Sequence, residues 1–279
     1  MLGAIIGDVA GSTYEYPECM DMMNGTINVT RREEVLQKSL SELLHEKSFF
    51  SDDTVLTVAI ADAIVSKESY AKKLKEYGQK YINLNQGRED YFESSFSPNF
   101  RNWLKMGGQG FSDGNGAAMR VSPVGFLFDD LQMVCIQAKE SAIPSHNTKE
   151  AINGAQAIAA VINLARNGAS KYAIKEYIEN RFKYNLDLDL NYVRRTNTFC
   201  QTCQITVPQA IAVFILSSSF EDGIKKAISI GGDTDTIASI TGAMLEAYYG
   251  IPQSIVNRIG RFGIPNEFFD VLDKAYWMM

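Results

Sequence analysis

The chain has 279 residues, 46% of them hydrophobic and 22% charged, a balance that excludes a disordered or fibrous polymer and permits a sizeable buried core. Its formal net charge of -6 argues against a broad phosphate-neutralising surface, so no direct nucleic-acid binding is expected, and Arg31-Arg32 and Arg194-Arg195 read as short solvated basic runs. No linker-like, low-complexity or repeated segment divides the sequence, and one domain over residues 1–279 is expected.

The first ten residues are apolar, but Asp8 interrupts them and no basic segment leads in, so they do not read as a signal peptide. No stretch approaches the roughly 18 uninterrupted apolar residues of a membrane span. Cys19, Cys135, Cys200 and Cys203 are irregularly spaced in a chain large enough to fold without staples. A soluble cytoplasmic protein without a disulfide framework is therefore expected. Cys200-x-x-Cys203 is half of a zinc pattern, yet there is no second pair and the histidines are His45 and His146, so structural zinc is not expected.

Apolar spacing of three and four predicts helices over residues 33–44, 70–82, 130–142, 171–182, 221–229, 234–249 and 266–277. His45 follows the first of these in the same amphipathic pattern and reads as structural. Val55, Leu56, Ala59, Ile60, Ala63 and Ile64 form a further stripe. So do Ile152, Ala155, Ile158, Ala159 and Ile162, with a stop near Gly168. Pro208 is expected in the first turn of a helix running through Ile211 to Leu216, where its missing N–H costs nothing. Leu186, Leu188 and Leu190 alternate with aspartates, either as one short strand or as the irregular start of a loop. The pattern predicts an all-α fold whose loops at 12–30, 85–116 and 183–206 carry recognition.

Three acidic segments stand out, each beside glycine or a hydroxyl residue: Gly7-Asp8 with Glu15 shortly after, Ser51-Asp52-Asp53-Thr54, and Gly231-Gly232-Asp233-Thr234-Asp235-Thr236. The last two run straight into helical stripes. Helix capping and a favourable meeting with the helix dipole explain one acid at each start. Binding of a hard cation explains the doubled acids with their hydroxyl neighbours, since such ions take oxygen ligands. Convergence of Glu15, Asp52, Asp53, Asp233 and Asp235 would gather five formal negative charges, which two divalent ions would largely offset. Such a pair orients a diphosphate-bearing substrate and lowers the pKa of an attacking water.

Five ordered motifs carry a resemblance to a known family: Gly7-Asp8-Val9-Ala10-Gly11-Ser12-Thr13-Tyr14-Glu15, Ser51-Asp52-Asp53-Thr54, Gly114-Asn115-Gly116-Ala117-Ala118-Met119-Arg120, Ser145-His146, and Gly232-Asp233-Thr234-Asp235-Thr236. Together, spanning residue 3 to about residue 250, the chain resembles the ADP-ribosylglycohydrolases, which include the dinitrogen-reductase activating glycohydrolases and the ADP-ribosyl-acceptor hydrolases.

The resemblance implies a single compact orthogonal helical domain with a binuclear Mg²⁺ or Mn²⁺ centre in a cleft. Ser51, Asp52 and Asp53 match one ligand group, with Ser51 standing where Thr is common, and Asp233, Asp235 and Thr236 match the other. Glu15, Asp53 and Asp235 are the implied catalytic carboxylates. Phe111, Ser112, Asp113, Gly114, Asn115 and Gly116 resemble the loop that holds the diphosphate and ribose, and His146 matches a ligand-contacting histidine. Arg120 either meets a phosphate or pairs with a carboxylate in the fold, the structural role being favoured. Phe111, Tyr192, Phe199 and Tyr14 are aromatic candidates for stacking on adenine.

The implied activity is release of ADP-ribose from an ADP-ribosylated protein or small conjugate, with arginine the favoured acceptor because an acidic surface suits a cationic leaving group. Serine linkages, poly(ADP-ribose) and O-acetyl-ADP-ribose share the same ADP-ribose half. A two-metal phosphoester hydrolase and a non-catalytic ADP-ribose binder are the readings of other classes.

Overall fold

The computed structural model describes residues 1–14, 43–86 and 94–279. In chain order its helices are α1 (Leu2–Gly11), α2 (Asp52–Ser66), α3 (Tyr70–Lys80), α4 (Pro98–Met106), α5 (Gly116–Met119), α6 (Ser122–Leu127), α7 (Leu131–Ala142), α8 (Lys149–Arg166), α9 (Lys171–Phe182), α10 (Leu190–Thr196), α11 (Cys203–Leu216), α12 (Phe220–Ser229), α13 (Thr234–Tyr249), α14 (Gln253–Ile259) and α15 (Asn266–Tyr276). Among the described residues there is no strand, only isolated bridges pairing Phe111 with His146 and Gly114 with Thr202.

Side-chain caps start most of the longer helices. Ser51, Ser69, Ser97, Asp130, Thr148, Ser170 and Ser219 each accept a backbone N–H from the first turn of the helix that follows, satisfying a donor that the helix itself leaves open. Two helices run through the middle of the core. In α13 every residue from Thr234 to Leu245 is buried, the pattern of a helix enclosed on all sides. In α8 the small residues Ala151, Gly154, Ala155, Ala157, Ala159 and Ala160 are buried, and α7, α6, α13, α5 and α11 pack around it.

The most extensive packing joins α1 to α13. Gly3, Gly7 and Gly11, one turn apart, let the two backbones touch. A Cβ at Gly7 would lie 2.0 Å from the Ala238 carbonyl oxygen, and one at Gly11 would lie 2.5 Å from the Asp235 Cα. Only glycine allows that approach.

Several expectations are corrected. Pro208 lies inside α11, which begins at Cys203. Its ring removes an intrahelical hydrogen bond, but the helix continues because Val207 and every residue from Ala210 to Phe214 are buried, so tertiary packing outweighs local propensity. His45 is in a turn, where its Nδ1 accepts the Lys47 N–H at 3.1 Å. Leu43 and Leu44 are not helical, and the rest of the helix expected at 33–44 lies outside the described residues. Of the two readings left open for Leu186 to Leu190, residues 184–189 take the irregular one, and Asp189 caps α10 by accepting the Asn191 N–H at 2.9 Å. Arg194 is more than solvated surface, since it donates to the carbonyl and hydroxyl of Ser229.

Candidate active site

The two acidic helix starts meet at one cavity of about 230 Å³, lined among others by Asp52 and Asp53 of α2 and by Asp233, Asp235 and Thr236 at the start of α13. Helix α1 sets their relative position. Asp8 Oδ2 accepts the backbone N–H of Ser51 at 2.9 Å and of Thr54 at 3.1 Å, together with the Thr54 hydroxyl. Three residues further along the same helix, the Gly11 carbonyl accepts the Thr234 hydroxyl at 3.0 Å. Asp8 is wholly buried, which pushes its pKa up to about 6 against the lowering effect of these donors.

Capping accounts for part of the acidity. Ser51 is the N-cap of α2, and its Oγ accepts the Asp53 N–H at 3.2 Å. Asp233 occupies the N-cap position of α13, while its Oδ2 accepts from Asn115 Nδ2 across the cavity at 2.6 Å. Burial raises the pKa of Asp233, with hydrogen bonding among Asp235, Asn115 and Thr236 acting the other way. The chain enters α13 through Gly231 and Gly232 with φ of 70° and 83°, a left-handed turn suited to glycine. Asn197 braces it by donating to the Ile230 and Gly231 carbonyls at 3.1 and 3.0 Å.

The donors present suit a hard cation. Asp53, Asp233 and Asp235 are only 2%, 2% and 4% exposed, and ionised carboxylates buried this close together call for compensating positive charge. Asp53 Oδ2 lies 3.5 Å from Ser51 Oγ and 3.3 Å from Thr236 Oγ1, so oxygens from both helix starts reach one another. Among the described residues no group of three or more His, Cys, Asp or Glu is assembled to hold an ion as placed. The fit is one of donor chemistry and burial.

The opposite wall is the glycine loop. It is held on one side by Gly110 N–H to Pro144 O (2.9 Å) and Asn147 N–H to Gly110 O (2.8 Å), and on the other by Asn115 N–H to Gln201 O (2.7 Å) and Cys203 N–H to Asp113 O (3.1 Å). Ser112, Asp113, Gly114, Asn115, Gly116 and His146 all line the cavity. Asn115 also donates to Thr206 at 3.1 Å, so its amide ties the loop to α11 and α13. Phe111 stands apart, 68% exposed, in an adjoining hollow of about 490 Å³ with Trp103 and Met106. Glu15 lies outside the described residues. Arg120 is fully buried and donates through Nη2 to the Ser141 carbonyl at 3.1 Å and the Ser145 hydroxyl at 2.9 Å. Its hydrogen bonds within the fold thus go to a carbonyl and a hydroxyl and not to a carboxylate, and burial pushes its pKa down to about 9 while Asp52 acts in the opposite direction.

The sequence model of the ADP-ribosylglycohydrolase family matches residues 1–276. The chain belongs to the ADP-ribosylglycohydrolase family. It is 27% identical to human ADP-ribosylhydrolase ARH3 over an alignment covering 91% of this chain and 85% of that protein. It is 25% identical to the ADP-ribosylarginine hydrolase Tri1 of Pseudomonas putida (strain GB-1), covering 99% of this chain and 73% of that protein. A solved ADP-ribosylglycohydrolase-related protein complex has the same fold, with a TM-score of 0.67 at 20% identity over 99% of this chain and 95% of that one. As a member of this family the chain is an enzyme, a hydrolase that releases ADP-ribose.

Within this ADP-ribosylglycohydrolase, further residues that the sequence reading did not single out line the cavity, among them Asn99, Gln201 and Thr202. Asn99 follows Pro98 at the start of α4, a short helix whose signal was Ser-Pro capping ahead of Phe100, Trp103 and Leu104 at helical spacing. Among the described residues no helix is long and apolar enough to cross a membrane.

Proposed function

We propose that this enzyme hydrolyses the bond between ADP-ribose and arginine on a modified protein, assisted by two divalent cations, Mg²⁺ or Mn²⁺. The observation that supports this most is the meeting of the α2 and α13 starts at a cavity whose facing wall is the glycine loop and His146. Ser51, Asp52, Asp53, Asp233, Asp235 and Thr236 would hold the cations, which supply charge to orient the ribose and diphosphate and lower the pKa of the attacking water.

The residues divide the remaining work. The glycine loop and the His146 ring hold the diphosphate and ribose, with Ser112 and Asp113 beside them. Asp53 and Asp235 are the candidate bases, Glu15 a further one. One of them takes a proton as the water oxygen bonds to the anomeric carbon. The bond from that carbon to the guanidine nitrogen breaks, and the leaving nitrogen takes up a proton. A net charge of -6 favours approach of a cationic side chain over a neutral one, and one relative carries the name ADP-ribosylarginine hydrolase.

A panel of defined arginine, serine, poly(ADP-ribose) and O-acetyl linkages, assayed by product chromatography with and without chelator, tests the proposal. Intact ADP-ribose is expected, fastest from arginine and only with the cation. AMP with ribose phosphate would point instead to a phosphoester hydrolase. Tight ADP-ribose binding without turnover on any linkage would mark a binder.

A further inference from the structure

His146 turns its Nε2 edge toward the glycine loop: a Cβ at Gly116 would lie 2.8 Å from Nε2, and one at Gly114 would lie 3.8 Å away. The ring lines the cavity, and Nε2 has no hydrogen-bond partner among the described residues. Its other nitrogen, Nδ1, lies 2.8 Å from Ser145 Oγ.

The hydrogen bonds at Ser145 bear on which nitrogen carries the proton. Its Oγ receives Arg120 Nη2 at 2.9 Å, and a guanidinium nitrogen only donates. The buried Ser145 hydroxyl keeps one hydrogen to give, and among the described residues the acceptor within reach is His146 Nδ1. The reverse arrangement, with Nδ1–H donating to Ser145, would leave that hydroxyl hydrogen buried and unmatched, which is costly. A second ring proton is opposed by burial and by the Arg120 charge.

We propose that Arg120, acting through Ser145, fixes His146 as the Nε2–H tautomer, so that His146 meets the substrate as a neutral hydrogen-bond donor to a ligand oxygen. Arg120 and Ser145 are positioning residues. The identity of the ligand rests on the function proposed above; the tautomer does not.

The test reads the tautomer directly. The full chain has two histidines, so ¹⁵N-imidazole spectra resolve His146 without assignment ambiguity once His146→Gln has identified its signals. In the unmodified protein at pH 7.5, a protonated Nε2 and an unprotonated Nδ1 are expected. Ser145→Ala should yield averaged tautomers, and Ser145→Thr, which keeps the hydroxyl, should restore a single one. With free ADP-ribose as probe, Ser145→Ala should weaken binding by about 2-fold, the share of rings left without Nε2–H, while His146→Ala, which removes the donor altogether, should weaken it roughly 5- to 10-fold, the scale of one hydrogen bond. A purely structural Ser145 would change stability without moving the tautomer. A protonated Nδ1 in the unmodified protein, or a tautomer indifferent to Ser145→Ala, overturns the relay. A fixed Nε2–H tautomer in a protein that does not bind ADP-ribose would overturn the proposed function and leave the relay standing.

Discussion

Asp8 accepts the backbone N–H of Ser51 at 2.9 Å, tying the second turn of α1 to the residue that caps α2. Three residues on, Gly11 lies against Asp235 so closely that a Cβ would stand 2.5 Å from its Cα. One short helix therefore sets the distance between the two acid-bearing helix starts. The carboxylate of Asp8 serves the fold, and the charges it aligns are those of Asp52, Asp53, Asp233 and Asp235.

Removing the Asp8 carboxylate should loosen this arrangement. Asp8→Ala leaves two backbone N–H groups and the Thr54 hydroxyl without their acceptor, which should cost about 3 kcal/mol, the scale for unsatisfied buried donors to a charged group. Denaturant unfolding measures it. Turnover of the folded fraction should fall at least roughly 10-fold, since small misplacements of reacting groups are expensive. An Asp8→Ala protein of unchanged stability and rate would separate α1 from the site.

Close approach of α1 to α13 leads to a second expectation. Gly7→Ala would put a methyl 2.0 Å from the Ala238 carbonyl oxygen, a backbone atom that can yield only by moving a helix. Overpacking of this kind should destabilise by about 1–3 kcal/mol or more. Gly260→Ala, with nothing within 4 Å of the added atom, should stay within about 0.5 kcal/mol. Equal urea midpoints for the two variants would contradict the packing described.

Much of this was legible in the sequence, for identifiable reasons. Ser51-Asp52-Asp53 and Asp233-Thr234-Asp235 each combine capping chemistry with an apolar run, and such local signals survive without tertiary knowledge. Helix α1 was not recognised because small and apolar residues surround its axis, so no polar face gives a period. Its spacing of Gly3, Gly7 and Gly11 acquires meaning only against α13, far away in sequence. The same holds for Asn115, whose bond to Asp233 joins residues 118 apart, and for Pro208, held inside α11 by neighbours that the local sequence does not reveal.

Single substitutions at the candidate bases should separate chemistry from folding. Asp53→Asn and Asp235→Asn are each expected to lower ADP-ribose release by about 100-fold or more, the contribution of a positioned proton acceptor, with thermal unfolding showing that the fold is retained. Chelator should abolish release in the unmodified enzyme, and added Mg²⁺ or Mn²⁺ should restore it. Undiminished release in the doubly substituted protein would rule out the mechanism.

Burial of His146 also predicts how stability changes with pH. The folded protein holds its pKa well below the usual 6.5, first through burial and then through Arg120, whereas the unfolded chain protonates the ring normally. As pH falls through 6.5, the unfolded state takes up a proton that the folded state refuses, so the stability contributed by the neutral ring is present above that pH and lost below it. Between pH 7.5 and 5.5 the linkage amounts to about 1.4 kcal/mol for one histidine. His146→Gln cannot titrate, and its stability relative to the unmodified protein should therefore improve by about that amount over the same interval. Parallel urea titrations at several pH values measure the difference. A constant gap between the two proteins would mean that His146 titrates alike in the folded and unfolded states, which the buried contact with Ser145 and the nearby Arg120 charge argue against.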